Sequence, residues 1–90
     1  MAEMAVAEIK NELGLHARAA AQFVQTANKF RASVTVAKDG EEVNGKSILS
    51  LMMLAAPIGS EIEITTEGED AVELLQHLLE LIENKFGEPR

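Results

Sequence analysis

Two apolar rhythms alternate along this chain, one of three to four residues and one of two, and each change of rhythm marks an element boundary. Met4 to Ile9 predicts a first strand, followed by a loop over Asn11 to Leu15 that carries Gly14. From Ala17 to Asn28, Ala20, Phe23, Val24 and Ala27 recur at helical spacing and predict a first helix, with His16 at its cap position. Arg31 to Lys38 predicts a second strand, with Val34 and Val36 on one face and Ser33 and Thr35 on the other. Asp39-Gly40 supplies the positive φ angles of a two-residue hairpin turn into a short third strand, Glu41 to Asn44. Asn44-Gly45-Lys46-Ser47 turns into a second helix capped by Ser47 and closed by Pro57 and Gly59. Ser60 to Thr66 alternates cleanly, Ile62 and Ile64 against Glu61 and Glu63, and predicts a fourth strand. Beyond Gly68, Glu69 and Asp70 suit the positive end of a long final helix. Its buried stripe is Ala71, Leu74, Leu75, Leu78, Leu81, Ile82 and Phe86, with Gly87 as the residue after its end.

The order is strand, helix, strand, strand, helix, strand, helix. Short connections favour an α+β arrangement, a small antiparallel sheet with helices on one face. Polar outer positions at Thr35, Glu61 and Glu63 fit a sheet whose other face meets water. Ninety residues with no linker or repeat predict one domain over 1–90.

Charge and composition narrow the chemistry. The net charge is −7 and the few Lys and Arg are scattered, so no basic stripe offers itself to nucleic acid. Phe23, Phe30 and Phe86 are the only aromatic residues, which leaves no base-stacking platform. With no cysteine there is no disulfide or thiolate site, and the two histidines have no matching carboxylate pattern, so neither a metal nor a cofactor is expected. No apolar run approaches the roughly 20 residues that span a bilayer, and Met1-Ala2-Glu3-Met4 lacks a signal-peptide start. A cytoplasmic protein is expected.

One position breaks a local rule. Helices start on Ser, Thr, Asp or Asn, whose short side-chain oxygen takes a free backbone N–H; His16 stands there instead. The exception suits phosphoryl transfer, because a phosphoryl group on the ring would meet the N–H groups of Ala17 and Arg18 and the positive end of the helix dipole. The Arg18 side chain would pair with its oxygens. Gly14 would let the loop approach closely, and Leu15 would pack on the first turn near Ala20. The bland alternative is a solvated His16 beside an ordinary helix. His77 reads as a solvated residue of the last helix.

The second helix carries Ile48, Leu49, Leu51, Met52, Met53 and Leu54, too many apolar residues for one buried face. Either some point outward as an adaptable docking surface, or the helix lies under a loop.

Gly14-Leu15-His16-Ala17-Arg18-Ala19-Ala20, with Asn44-Gly45-Lys46-Ser47-Ile48 and Leu51-Met52-Met53-Leu54, resembles the HPr family, histidine-containing phosphocarriers of the bacterial phosphoenolpyruvate-dependent phosphotransferase system. The resemblance covers essentially the whole chain. It implies an open-faced sandwich of four antiparallel strands with three helices on one side. It implies that His16 is phosphorylated at Nδ1 with Arg18 assisting, by transfer from enzyme I and onward to a IIA component. It places partner docking at Ile48, Leu49, Met52 and Met53, and matches Ser47 to a serine that an HPr kinase/phosphorylase modifies in some bacteria. A monomer suits such a shuttle. Ala19 departs from the pattern, since many members have proline there; alanine is an excellent helix former, so the first turn is expected to survive. Two other readings remain: a regulatory carrier of the nitrogen-related branch, and an interaction domain that never carries phosphate.

Overall fold

The computed structural model describes residues 1–90. The chain runs β1 (Ala2–Glu8), α1 (Ala17–Ala27), β2 (Ser33–Lys38), β3 (Glu41–Asn44), α2 (Ile48–Leu54), β4 (Glu61–Glu67) and α3 (Ala71–Glu83), with a short 3-10 turn at Lys85–Gly87. The four strands form one antiparallel sheet in the order β1-β4-β2-β3. Registers such as Ala5 with Ile64 and Val36 with Ile64 place Ala5, Val36 and Ile64 on one face. The three helices cover that face, and the other is open, as the alternation predicts.

A buried cluster of 21 apolar residues fills the space between layers. Val34, Val36, Ile62 and Ile64 rise from the sheet to meet Phe23 of α1, Leu51 and Leu54 of α2, and Leu74, Leu78 and Ile82 of α3. Burying each such side chain contributes about 1.5–3 kcal/mol. Met4 and Val6 of β1 fall on the open face and are exposed, while Ala5 and Ala7 lean on the core.

β1 begins at Ala2 and ends at Glu8, earlier than the expected Met4 to Ile9, and β4 is displaced by one residue from the expected Ser60 to Thr66; three further boundaries differ for reasons the structure shows. β2 starts at Ser33 instead of Arg31, because the N–H groups of Arg31 and Ala32 donate to the Asp70 carboxylate at 2.9 and 2.8 Å. Asp70 therefore does not cap α3 with its side chain; it ties the α3 start to the entry of β2. These backbone hydrogen bonds, that of Arg31 foremost, outweigh desolvation and hold the Asp70 carboxyl below its ordinary value of 3.8. A depressed folded pKa means the tie is fully present above the ordinary value and lost as pH falls through the lower folded one. The stability difference between the wild type and Asp70→Asn, measured by urea denaturation, should shrink steadily below about pH 4; a constant difference down to about pH 2 would contradict the tie.

α2 ends at Leu54, earlier than Pro57, because Ala55 adopts a left-handed conformation (φ 53°) that closes the helix. α3 ends at Glu83, not at Gly87. Lys85, Phe86 and Gly87 all have positive φ (57°, 56° and 79°), so Phe86 reaches the core from a reversed turn, not from the helix stripe. Leu81 is only partly buried.

Candidate functional site

The loop Asn11–Leu15 is folded on itself. The Gly14 N–H donates to the Asn11 carbonyl at 3.1 Å, and the Asn11 side-chain amide donates to the Gly14 carbonyl at 2.7 Å. Gly14 has φ +71°, and a Cβ there would lie 2.6 Å from the Ala56 carbonyl oxygen. The Leu15 N–H donates to that same oxygen at 2.9 Å, so the segment after α2 supports the loop that leads into α1. Gly14→Ala combines a left-handed penalty of about 1–2 kcal/mol with an overpacking cost of about 1–3 kcal/mol. We expect a loss of roughly 2–4 kcal/mol in urea denaturation; a change under about 0.5 kcal/mol would contradict the close approach.

His16 follows with extended backbone (φ −80°, ψ −177°) and caps α1 as the sequence predicts. Its carbonyl accepts from Ala20 at 2.8 Å, and its ring Nδ1 accepts from the Arg18 N–H at 3.3 Å. Because Nδ1 accepts, its lone pair faces the helix end and the ring proton belongs on Nε2. The side chain is 25% exposed, less open than a solvated loop residue, and one cause is Glu88. The Nε2 atom lies 2.5 Å from Glu88 Oε2. Burial pushes the Glu88 carboxyl upward, but hydrogen bonds from His16 and Asn11 and the nearby charges of His16 and Arg18 outweigh it, and the carboxyl is held below its ordinary value.

Arg18 is exposed on the first turn of α1, with its guanidinium free beside Glu88. Ala17 is also exposed, and as the first helical residue its N–H has no partner four residues back. Ala19 is fully buried in an intact first turn, as expected without proline. Leu13, His16, Met52, Ala55 and Pro57 line one shallow depression, which joins α2 to the histidine. Ile48, Leu49, Met52 and Met53 are all exposed, whereas Leu51 and Leu54 are buried, so the surplus apolar residues of α2 do point outward. Ser47 caps α2, accepting from Ser50 N–H at 3.2 Å. It sits at the opposite end of that helix from Ala55, about 12 Å of helix away. His77 is exposed on α3, as expected; its Nδ1 contacts the Glu73 carbonyl one turn back at 2.8 Å and its ring lies 5.1 Å from that of Phe30.

Comparison with known proteins decides the lineage. A family model described as the PTS HPr component phosphorylation site matches residues 5–84. The chain belongs to the HPr family. It is 53% identical over 81 residues to the phosphocarrier protein HPr of Neisseria meningitidis, covering 90% of this chain and 91% of that protein. It is 49% identical over 80 residues to that of Cupriavidus necator, covering 89% and 90%. The crystal structure of HPr-C-His from Thermoanaerobacter tengcongensis superposes with a TM-score of 0.94 at 46% identity, covering 98% of this chain and 99% of that one. HPr is a phosphocarrier of the phosphotransferase system, and the open-faced β-α-β-β-α-β-α fold expected from the sequence is the one found. No helix is long and apolar enough to cross a membrane.

Sequence reasoning missed Asn11 and Glu88. Asn11 is fully buried and donates to both Gly14 and Glu88 (2.7 and 3.0 Å), yet in the sequence it is one more polar loop residue. Glu88 is 72 residues from His16 and reaches it only because the chain reverses after Asn84, which no local pattern announces.

Proposed function

We propose that this HPr-family chain takes a phosphoryl group onto Nδ1 of His16 from phosphorylated enzyme I and passes it to a histidine of a IIA component. The observation that carries this reading is the orientation of the ring. Nδ1 presents its lone pair at the α1 terminus, and Nε2 is occupied by Glu88.

In the forward step the Nδ1 lone pair attacks phosphorus in line. The donor's P–N bond breaks, and its electron pair returns to the donor's ring nitrogen. The Arg18 N–H, relieved of Nδ1, turns to a phosphoryl oxygen, with the Ala17 N–H and the helix dipole beside it. The Arg18 guanidinium supplies the remaining charge-assisted bonds. Such exchange needs positioning and charge stabilisation and no metal. Leu13, Met52, Leu49, Met53 and Ile48 form the apolar surface on which both partners would dock in turn, one flexible surface serving two proteins. Ser47 serves in this scheme as the cap that starts α2, and a phosphate added there would sit at a helix start next to the docking surface.

The test is incubation with enzyme I and phosphoenolpyruvate. An acid-labile, base-stable mass increase on the chain is expected. Docking to enzyme I with no mass increase would leave a pure interaction domain as the function. Onward transfer to sugar-type and nitrogen-type IIA proteins, run side by side, then separates the two branches.

A further inference from the structure

The three helices leave the second face of the sheet uncovered. Met4 and Val6 project from it side by side, 60% and 54% exposed, on the opposite side of the sheet from α2. Around them every charged side chain on the open face of the four strands is a glutamate: Glu8, Glu42, Glu61, Glu63 and Glu67, with no Lys or Arg among them.

The register brings these charges close together. Glu8 stands directly opposite Glu61, a like-charge pair that opposes strand pairing. Val6, Glu63, Ala37 and Glu42 form the next row across all four strands. The cations nearest in sequence are engaged elsewhere, Lys10 with Glu83 and Lys38 with Asp39. On the same face lies an open depression of about 470 Å³, whose walls include Val6, Ala37, Glu42, Glu61 and Glu63, with Lys38 among them as the one cation. Solubility alone is served by charges of both signs interspersed, and it does not call for an apolar strip beside carboxylates set against each other.

We infer that the open face of the sheet is a second docking surface, and that it takes a basic amphipathic helix of a partner protein. Charge complementarity selects a surface rich in Lys and Arg. A helix fits better than a strand, because the face offers no backbone ladder: an extended segment laid on it would leave its N–H and C=O groups unpaired, whereas a helix pairs its own. The apolar stripe of that helix would rest on Met4 and Val6, with its cations reaching the glutamates on β4 and β3. Glu61 and Glu63 lie two residues apart on β4, roughly 7 Å along the strand, close to the roughly 6 Å between helix residues four apart. A second copy of this chain is a poor occupant, since its own open face would bring the same five glutamates against each other. His16 and α2 belong to the layer on the far side of the sheet, so both surfaces can be filled at once. The inference does not depend on the carrier reading.

The test uses the full chain, labelled with nitrogen-15, and two synthetic peptides of identical Leu, Ala and Lys composition. One places its Leu residues in a single helical stripe flanked by Lys; the other is scrambled so that no stripe forms. The amphipathic peptide should bind about 10-fold more tightly than the scrambled one. Its amide shift changes should centre on Val6, Glu42 and Glu63 and spare α2. Val6→Ser should weaken the amphipathic peptide and leave the scrambled one unaffected. Replacing Glu61 and Glu63 together, Glu61→Lys with Glu63→Lys, should weaken the amphipathic peptide about 10-fold and leave the α2 amide spectrum as in the wild type. Equal binding of the two peptides would overturn the inference by reducing the face to its charge. Shift changes centred on α2 or α3 would overturn it by placing the peptide elsewhere. A dimer in sedimentation equilibrium, with the same amides shifted in the absence of peptide, would overturn it by giving the face to a second copy.

Discussion

Replacing His16 with alanine should abolish phosphoryl uptake. The nucleophile is the ring itself, and no other imidazole stands at the site: His77 lies on α3 against Phe30. Loss of about 10³-fold or more is expected, because removal of an attacking group leaves only binding and orientation behind. His16 is also the α1 cap, so His16→Ala should cost about 1 kcal/mol of stability, or roughly 4–8 °C in Tm for a chain of this size. A second variant separates the two roles. Asparagine is a good cap with no nucleophilic ring nitrogen, so His16→Asn should keep near-wild-type stability and still take up no phosphoryl group. Uptake by either variant would show that the acceptor is elsewhere.

The second large effect belongs to Arg18. Its guanidinium is exposed, at the first turn of α1, near Glu88, and free of other partners. Charge-assisted hydrogen bonds contribute about 1.5–3 kcal/mol each, so Arg18→Ala should slow transfer from enzyme I roughly 10–100-fold. The affinity for unphosphorylated enzyme I should move far less, because the interaction develops with the phosphoryl charge and not with docking. Stability should stay within about 0.5 kcal/mol, since alanine is the better helix former and the site is on the surface. Arg18→Lys should recover only part of the rate, because a point charge lacks the planar fork. A variant that loses affinity and rate in equal proportion would assign Arg18 to docking instead.

How far these features were readable beforehand follows from how local their causes are. β4 was legible because Ile62 and Ile64 alternate with Glu61 and Glu63, and a half-buried strand demands that alternation. The His16 cap was legible because the cap, the Arg18 N–H and the Gly14 turn all lie within five residues. The ends of α2 and α3 were not, since they are set by left-handed Ala55, Lys85 and Phe86, residues that ordinarily continue a helix. Asp70 looked like a helix opener and instead serves backbone amides 39 and 38 residues away. Asn11 and Glu88 were missed for the same reason: their roles exist only once the chain has brought distant segments together. The outward apolar residues of α2 could be counted from the sequence, but their junction with His16 through Met52 and Leu13 needed the fold.

The most direct measurement is the assignment of the phosphoryl group to a ring atom, by nitrogen and phosphorus resonance on the chain phosphorylated with enzyme I and phosphoenolpyruvate. The account predicts a single bond to Nδ1 of His16 with the Nε2 proton retained. Phosphorus found on Nε2, on His77 or on Ser47 would contradict it.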